Sequence, residues 1–80
     1  MIHNEEKLYK ILSEVFEIDI SEINHQTSQE ETDSWGSLNT VRMIVAIENI
    51  FSIRLDIDDI SIINKVSDIV ELLRSNGIEI

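Results

Sequence analysis

Eighty residues allow one small domain, spanning 1–80, and an apolar share of 42% allows it a modest core. The chain has no cysteine, which excludes disulfides, thiolate metal sites and a cysteine nucleophile; with no proline and only two glycines it also lacks the material of β-hairpins. Sixteen acidic against six basic side chains leave a formal charge of −10, which repels nucleic acid and anionic membranes and favours either a basic protein partner or plain colloidal solubility.

The first helix is expected from about residue 4 to about residue 17, capped by Asn4. Glu5 and Glu6 suit the positive end of its dipole, and Leu8, Ile11, Leu12, Val15 and Phe16 fall on one face. From Glu17 to Gly36 no regular element is evident. Ile18, Ile20 and Ile23 are expected to pin this loop to the core, and the polar stretch Asn24 to Ser34 follows. Loops of this length in small domains are often functional. The stretch is acidic: from Glu14 to Asp33, Glu14, Glu17, Asp19, Glu22, Glu30, Glu31 and Asp33 occur with no Lys or Arg among them.

A second helix is expected from about Ser37 to about Ser52, with Met43, Ala46, Ile47, Ile50 and Phe51 as its buried stripe. Leu38, Val41, Ile44 and Val45 are apolar as well. Either this is simply the central helix of a bundle, or part of that surface faces outward and awaits a partner. Ile53 to Ile60 reads as a turn and a short helix. The last helix is expected over Lys65 to Ser75, capped by Asn64, with Arg74 in its last turn and Gly77 ending it. Ile78 and Ile80 either fold back over the core or fray. The expected fold class is all-α: a small bundle of three main helices plus one short helix, with a long first loop.

No apolar run approaches the ~18 residues of a membrane span. The charged residues between Met1 and Lys10 leave no signal-peptide core, so no membrane insertion and a cytoplasmic location are expected.

The segment Asp33-Ser34-Trp35-Gly36-Ser37-Leu38 is the most informative. It places a serine where a long loop becomes a helix, so its hydroxyl is expected to be accessible and the free N–H groups of the helix start favour an anion beside it. On physics alone an ordinary helix cap is the simpler reading of that serine. Trp35 either staples the loop to the bundle or shields the serine, stapling being the simpler role. Asp56, Asp58 and Asp59 invite a calcium reading, but Ser61 and Ser67 stand where an EF-hand loop needs glycine and glutamate, which leaves a solvated acidic turn. His3 and His25 have no local motif that would make either a base for Ser37, and a Ser-His-Asp hydrolase is set aside.

The whole chain resembles the acyl carrier proteins and related phosphopantetheine-dependent carriers. The resemblance rests on the length of the first helix, the long acidic loop, Ser37-Leu38 opening the second helix with Glu48 and Phe51 near its end, and a short third helix before the last. It is strongest from Trp35-Gly36-Ser37-Leu38 to Ile47-Glu48-Asn49-Ile50-Phe51-Ser52-Ile53, which is similar to the family's Asp-Ser-Leu region and its Leu-Glu-x-x-Phe-x-Ile ending. The resemblance implies a non-enzymatic monomer with 4′-phosphopantetheine, taken from coenzyme A, esterified to Ser37. It also implies a phosphopantetheinyl transferase and acyl- or aminoacyl-loading and acyl-transferring enzymes as partners.

Two departures bear on this. Gly36 stands where the family usually has the Asp that assists the transferase, and a literal Asp-Ser occurs only at Asp33-Ser34, where the spacing to Glu48 and Phe51 is lost. The second helix has no net charge, with Arg42 and Glu48 alone between Ser37 and Phe51. Partners are therefore expected to grip Leu38, Val41 and Val45, with Glu48 nearby. Glu30, Glu31 and Asp33 on one flank and Asp56, Asp58 and Asp59 on the other would steer their approach. The alternative reading is a non-catalytic helical interaction module with an unmodified serine.

Overall fold

A computed structural model describes residues 3–80, and among these the protein is all-α. Four α-helices form it: α1 (His3–Phe16), α2 (Ser37–Phe51), α3 (Ile57–Ser61) and α4 (Val66–Ser75). Only an isolated antiparallel bridge, Ser28 to Lys65, interrupts the helical and irregular backbone. Among the described residues no helix is long and apolar enough to cross a membrane.

The core follows from helical periodicity. Leu8, Ile11, Leu12 and Phe16 of α1 meet Met43, Ile44, Ile47 and Phe51 of α2, and Val66, Ile69, Val70, Leu72 and Leu73 of α4 complete one cluster. The buried stripe of α2 is rotated from the expected one: Ile44 is buried and Ile50 is exposed. Leu38, Val41 and Val45 lie on the opposite side of the helix from Met43 and Ile47, because a 100° step per residue separates those two sets.

Three helix ends share one chain reversal. The N–H of Ile18 donates to Ser13 O (3.2 Å), that of Ile53 to Glu48 O (3.2 Å) and that of Ile78 to Leu73 O (3.0 Å). Each is the six-to-one bond of a Schellman turn, which needs a left-handed residue in between. Gly77 supplies it at φ +87°, as expected, but Glu17 (φ 56°) and Ser52 (φ 55°) supply it without being glycine. Beyond Gly77 the chain folds back. Ile78 and Ile80 pack on the core, Arg74 donates twice to Ile80 O, and Asn4 Nδ2 donates to Glu79 O (2.7 Å). Asn4 is therefore a residue of α1 that ties down the C-terminus, and not the cap of that helix.

The long loop is ordered by polar bonds more than by its isoleucines. Ile23 is buried and Ile18 packs against the core, but Ile20 is exposed and opens a short 3-10 turn, Ile20–Glu22, capped by Asp19. Further along, the loop backbone serves α4. The Val66 N–H donates to Thr27 O (2.9 Å) and the Ser67 N–H to His25 O (3.1 Å), while Gln29 donates to Asn64 O (2.8 Å). The bonds from Val66 and Ser67 satisfy N–H groups that the first turn of a helix leaves unpaired. Asp68 completes the cap by accepting from the N–H groups of Asn64 and Lys65 at 2.9 and 3.1 Å. The expected Asn64 cap is thus replaced by Lys65 at the cap position, with Asp68 and the distant loop as its acceptors.

Candidate functional site

Trp35 fixes the chain just before α2. It is 2% exposed and stacks on Phe16 with ring centroids 4.9 Å apart. Its Nε1 is buried with no hydrogen-bond partner among the described residues. Leaving that group unpaired costs about 1–3 kcal/mol. Burying an indole, ~150–250 Å² at ~25 cal/mol per Å², returns about 4–6 kcal/mol, so the anchor is favourable on balance. Trp35 is a staple between loop and bundle.

One residue later the chain turns into α2. Gly36 occupies the cap position and has no side chain to cap with; Ser37 is the first helical residue. This overturns the simpler reading of Ser37 as an ordinary cap. Its side chain is exposed. Thr40 closes the first turn by donating both its N–H (2.8 Å) and its hydroxyl (2.9 Å) to Gly36 O, and Asn39 Nδ2 donates to Ser34 O (2.8 Å). The first turn of α2 carries no acidic side chain, so the partial positive charge of its open N–H groups is uncompensated there. An exposed hydroxyl beside an uncapped helix start can carry a phosphodiester: the oxygen is reachable and the backbone favours the anion. Ser34, in contrast, is half-buried and its carbonyl is held by Asn39.

Leu38 (64% exposed), Val41 (59%) and Val45 (50%) run down the outer face of α2 from the serine, against 0% for Met43 and Ile47 on the inner face. Their spacing of three and four residues makes them one stripe. Ile50, Ile57 and Ile62 are exposed as well, and nothing in the sequence pattern singled them out as outward-facing. For Ile57 and Ile62 the available signal was their place in and just after a helix of five residues, too short to bury an apolar face of its own.

The charged residues divide by their bonding. Glu30, Glu31 and Asp33 are exposed in the loop that leads to the serine. Asp56 and Asp59 form a capping box at the start of α3, with bonds of 2.9 and 3.3 Å, which leaves Asp58 as the carboxylate of that cluster outside the cap. Glu48 is placed differently from the expectation of a partner-facing acid. It is half-buried, and its Oε2 accepts from the Leu55 N–H at 2.8 Å, so it holds the corner between α2 and α3. His25 Nε2 lies 3.1 Å from Glu5 Oε2 and ties the loop to α1, while His3 is exposed at the start of α1. No group of three or more His, Asp or Glu side chains converges as a metal site among the described residues.

An open cleft of about 740 Å³ lies between the long loop and the ends of α1 and α2; Ser34 and Asn39 line it and Ser37 does not. It was not legible in the sequence, because loop residues far apart in the chain form its walls.

No protein-family model matches the chain, and no curated protein matches it.

Proposed function

We propose that the protein is a carrier: Ser37 bears 4′-phosphopantetheine, and the chain presents an acyl or aminoacyl group held on that arm as a thioester. The observation that carries this reading is the exposed Ser37 hydroxyl at the uncapped start of α2, with Gly36 relieving it of the cap role. Support also comes from the order of elements: a long helix, a long acidic loop, a second helix opened by Ser-Leu, a short third helix and a fourth. These resemble the acyl carrier architecture.

In loading, a transferase brings coenzyme A to the site. The Ser37 Oγ attacks the phosphorus that bears pantetheine, its proton leaves, and the bond from that phosphorus to adenosine 3′,5′-bisphosphate breaks. The arm, once bound, supplies the thiol that the chain lacks. The chain itself keeps the oxygen accessible. The uncompensated N–H groups of α2 favour the phosphodiester by about 0.3–1 kcal/mol. Leu38, Val41 and Val45 offer partner enzymes an apolar strip, and the acidic loop draws basic partners toward it. These partners are the transferase and the enzymes that load and remove the acyl group.

A second reading is a helical interaction module with a bare serine. Gly36 favours it, since the acid that helps a transferase is missing there. One experiment separates the two. The protein is incubated with coenzyme A and a broad-specificity phosphopantetheinyl transferase and weighed intact. A mass gain of one phosphopantetheine, abolished in Ser37→Ala, supports the carrier; no gain with several transferases supports the module.

A further inference from the structure

The loop before Ser37 forms one wall of the 740 Å³ cleft, and Ser34 and Asn39, three residues before and two after the serine, both line it. Ser37 itself does not line the cleft, and Asn39 projects from the other side of the first turn of α2, so an arm on Ser37 reaches the cleft by passing round the helix start. Gln26 and Thr32 add a further amide and hydroxyl to its lining. Asn39 spends its amide nitrogen on Ser34 O, which presets the side chain and leaves its carbonyl oxygen as an acceptor. Charge decides what can enter. Glu17, Glu22, Glu31 and Asp33 line the cleft, and no Lys, Arg or His does. A phosphate is repelled from such a lining and is favoured at the start of α2, whereas an uncharged chain suffers no repulsion. The bundle interior offers no equivalent place: Leu8, Leu12, Met43 and Ile47 are at most 1% exposed, and a guest there would have to displace them.

We propose that this cleft is a binding site for an uncharged, amide-bearing chain, namely the pantetheine part of the arm on Ser37, which folds back into it while the phosphate stays at the helix end. The proposal rests on the carrier reading above. The amides of the arm meet Gln26, Thr32, Ser34 and Asn39, and the thioester end comes to lie among the carboxylates. The cleft consequently accepts neutral or ammonium-bearing acyl groups and rejects carboxylate-ended ones.

The test uses the whole protein in bare, arm-bearing and acyl-loaded forms, each weighed intact and then followed by amide hydrogen exchange. In the arm-bearing and acetyl-loaded forms, exchange over residues 26–34 and at Asn39 is expected to slow by about threefold or more, with residues 69–73 unchanged. With a succinyl group on the arm that protection is expected to disappear. A mass gain with unchanged exchange over 26–34 overturns the cleft and leaves the carrier reading standing. Protection that survives succinyl loading overturns the charge selection. Absence of any mass gain removes the carrier reading and, with it, the occupant of the cleft.

Discussion

At Gly36 the backbone is extended (φ −100°, ψ −173°), and a Cβ placed there would meet nothing within 4 Å. The position has room for a Cβ, and a side chain that accepts from the first-turn N–H groups suits it best. Gly36→Asp is expected to raise stability by a few tenths to about 1 kcal/mol, seen as a higher melting temperature. If the carrier reading holds, it also speeds transferase loading in an initial-rate assay; slower loading would count against the role given to this position. Asp19 offers a pH test. Bonds from the Ser21 N–H, and secondarily from its hydroxyl, hold the Asp19 carboxyl below the usual carboxylate range. A group depressed in the folded state stabilises above its unfolded value, and that contribution is lost as pH falls through the folded one. An NMR titration should place Asp19 below an ordinary aspartate, and Ser21→Ala should return it only part of the way, since the backbone bond remains.

Helix ends carry the strain of this fold. A non-glycine residue in the left-handed region costs about 1–2 kcal/mol, and α2 ends on such a residue, Ser52 at φ 55°. Ser52→Gly is expected to stabilise the protein by about 1 kcal/mol, which for a domain this size raises the melting temperature by ~4–8 °C. An unchanged or lowered melting temperature would mean that the Ser52 side chain contributes more than its strain. The outward face of α2 makes the opposite kind of prediction. Val41 is 59% exposed, so Val41→Asp should alter stability by no more than ~0.5 kcal/mol. On the proposed carrier reading, acyl transfer to a partner enzyme should nevertheless fall sharply, because a carboxylate then sits in the apolar strip. Equal loss of folding and transfer would show that the strip is structural.

For the molecule as a whole the dominant electrostatic fact is a formal charge of −10 on 80 residues. Self-repulsion of that kind opposes the compact state and is screened by salt. Thermal melts in rising sodium chloride should therefore show increasing stability, while on the proposed carrier reading the rate of encounter with a basic partner enzyme should fall over the same range. Encounter rates that ignore salt would remove the steering role of Glu30, Glu31 and Asp33. Cohesion comes from three helices sharing one core and from the loop that caps α4, so loop and bundle are expected to lose structure together.

The number of helices and the limits of α2 were legible in the sequence, because the apolar spacing from Met43 to Phe51 and the break before Ser37 are local signals. So were the Gly77 ending of α4 and the exposed stripe Leu38, Val41 and Val45 as candidates for an outer face. Other features depended on residues distant in the chain. Asn4 reads as a cap until the C-terminal backbone arrives to bond it, and Asn64 reads as a cap until Asp68 and the carbonyls of His25 and Thr27 supply the bonds instead. Glu48 has the pattern of a surface acid until Leu55 turns back onto it. The side of α2 that buries Ile44 and exposes Ile50, and the cleft lined by Ser34 and Asn39, were likewise decided only by how the elements pack. Periodicity and caps act within a turn or two of helix, whereas a backbone donor finds its acceptor, and a groove its second wall, only after distant segments meet.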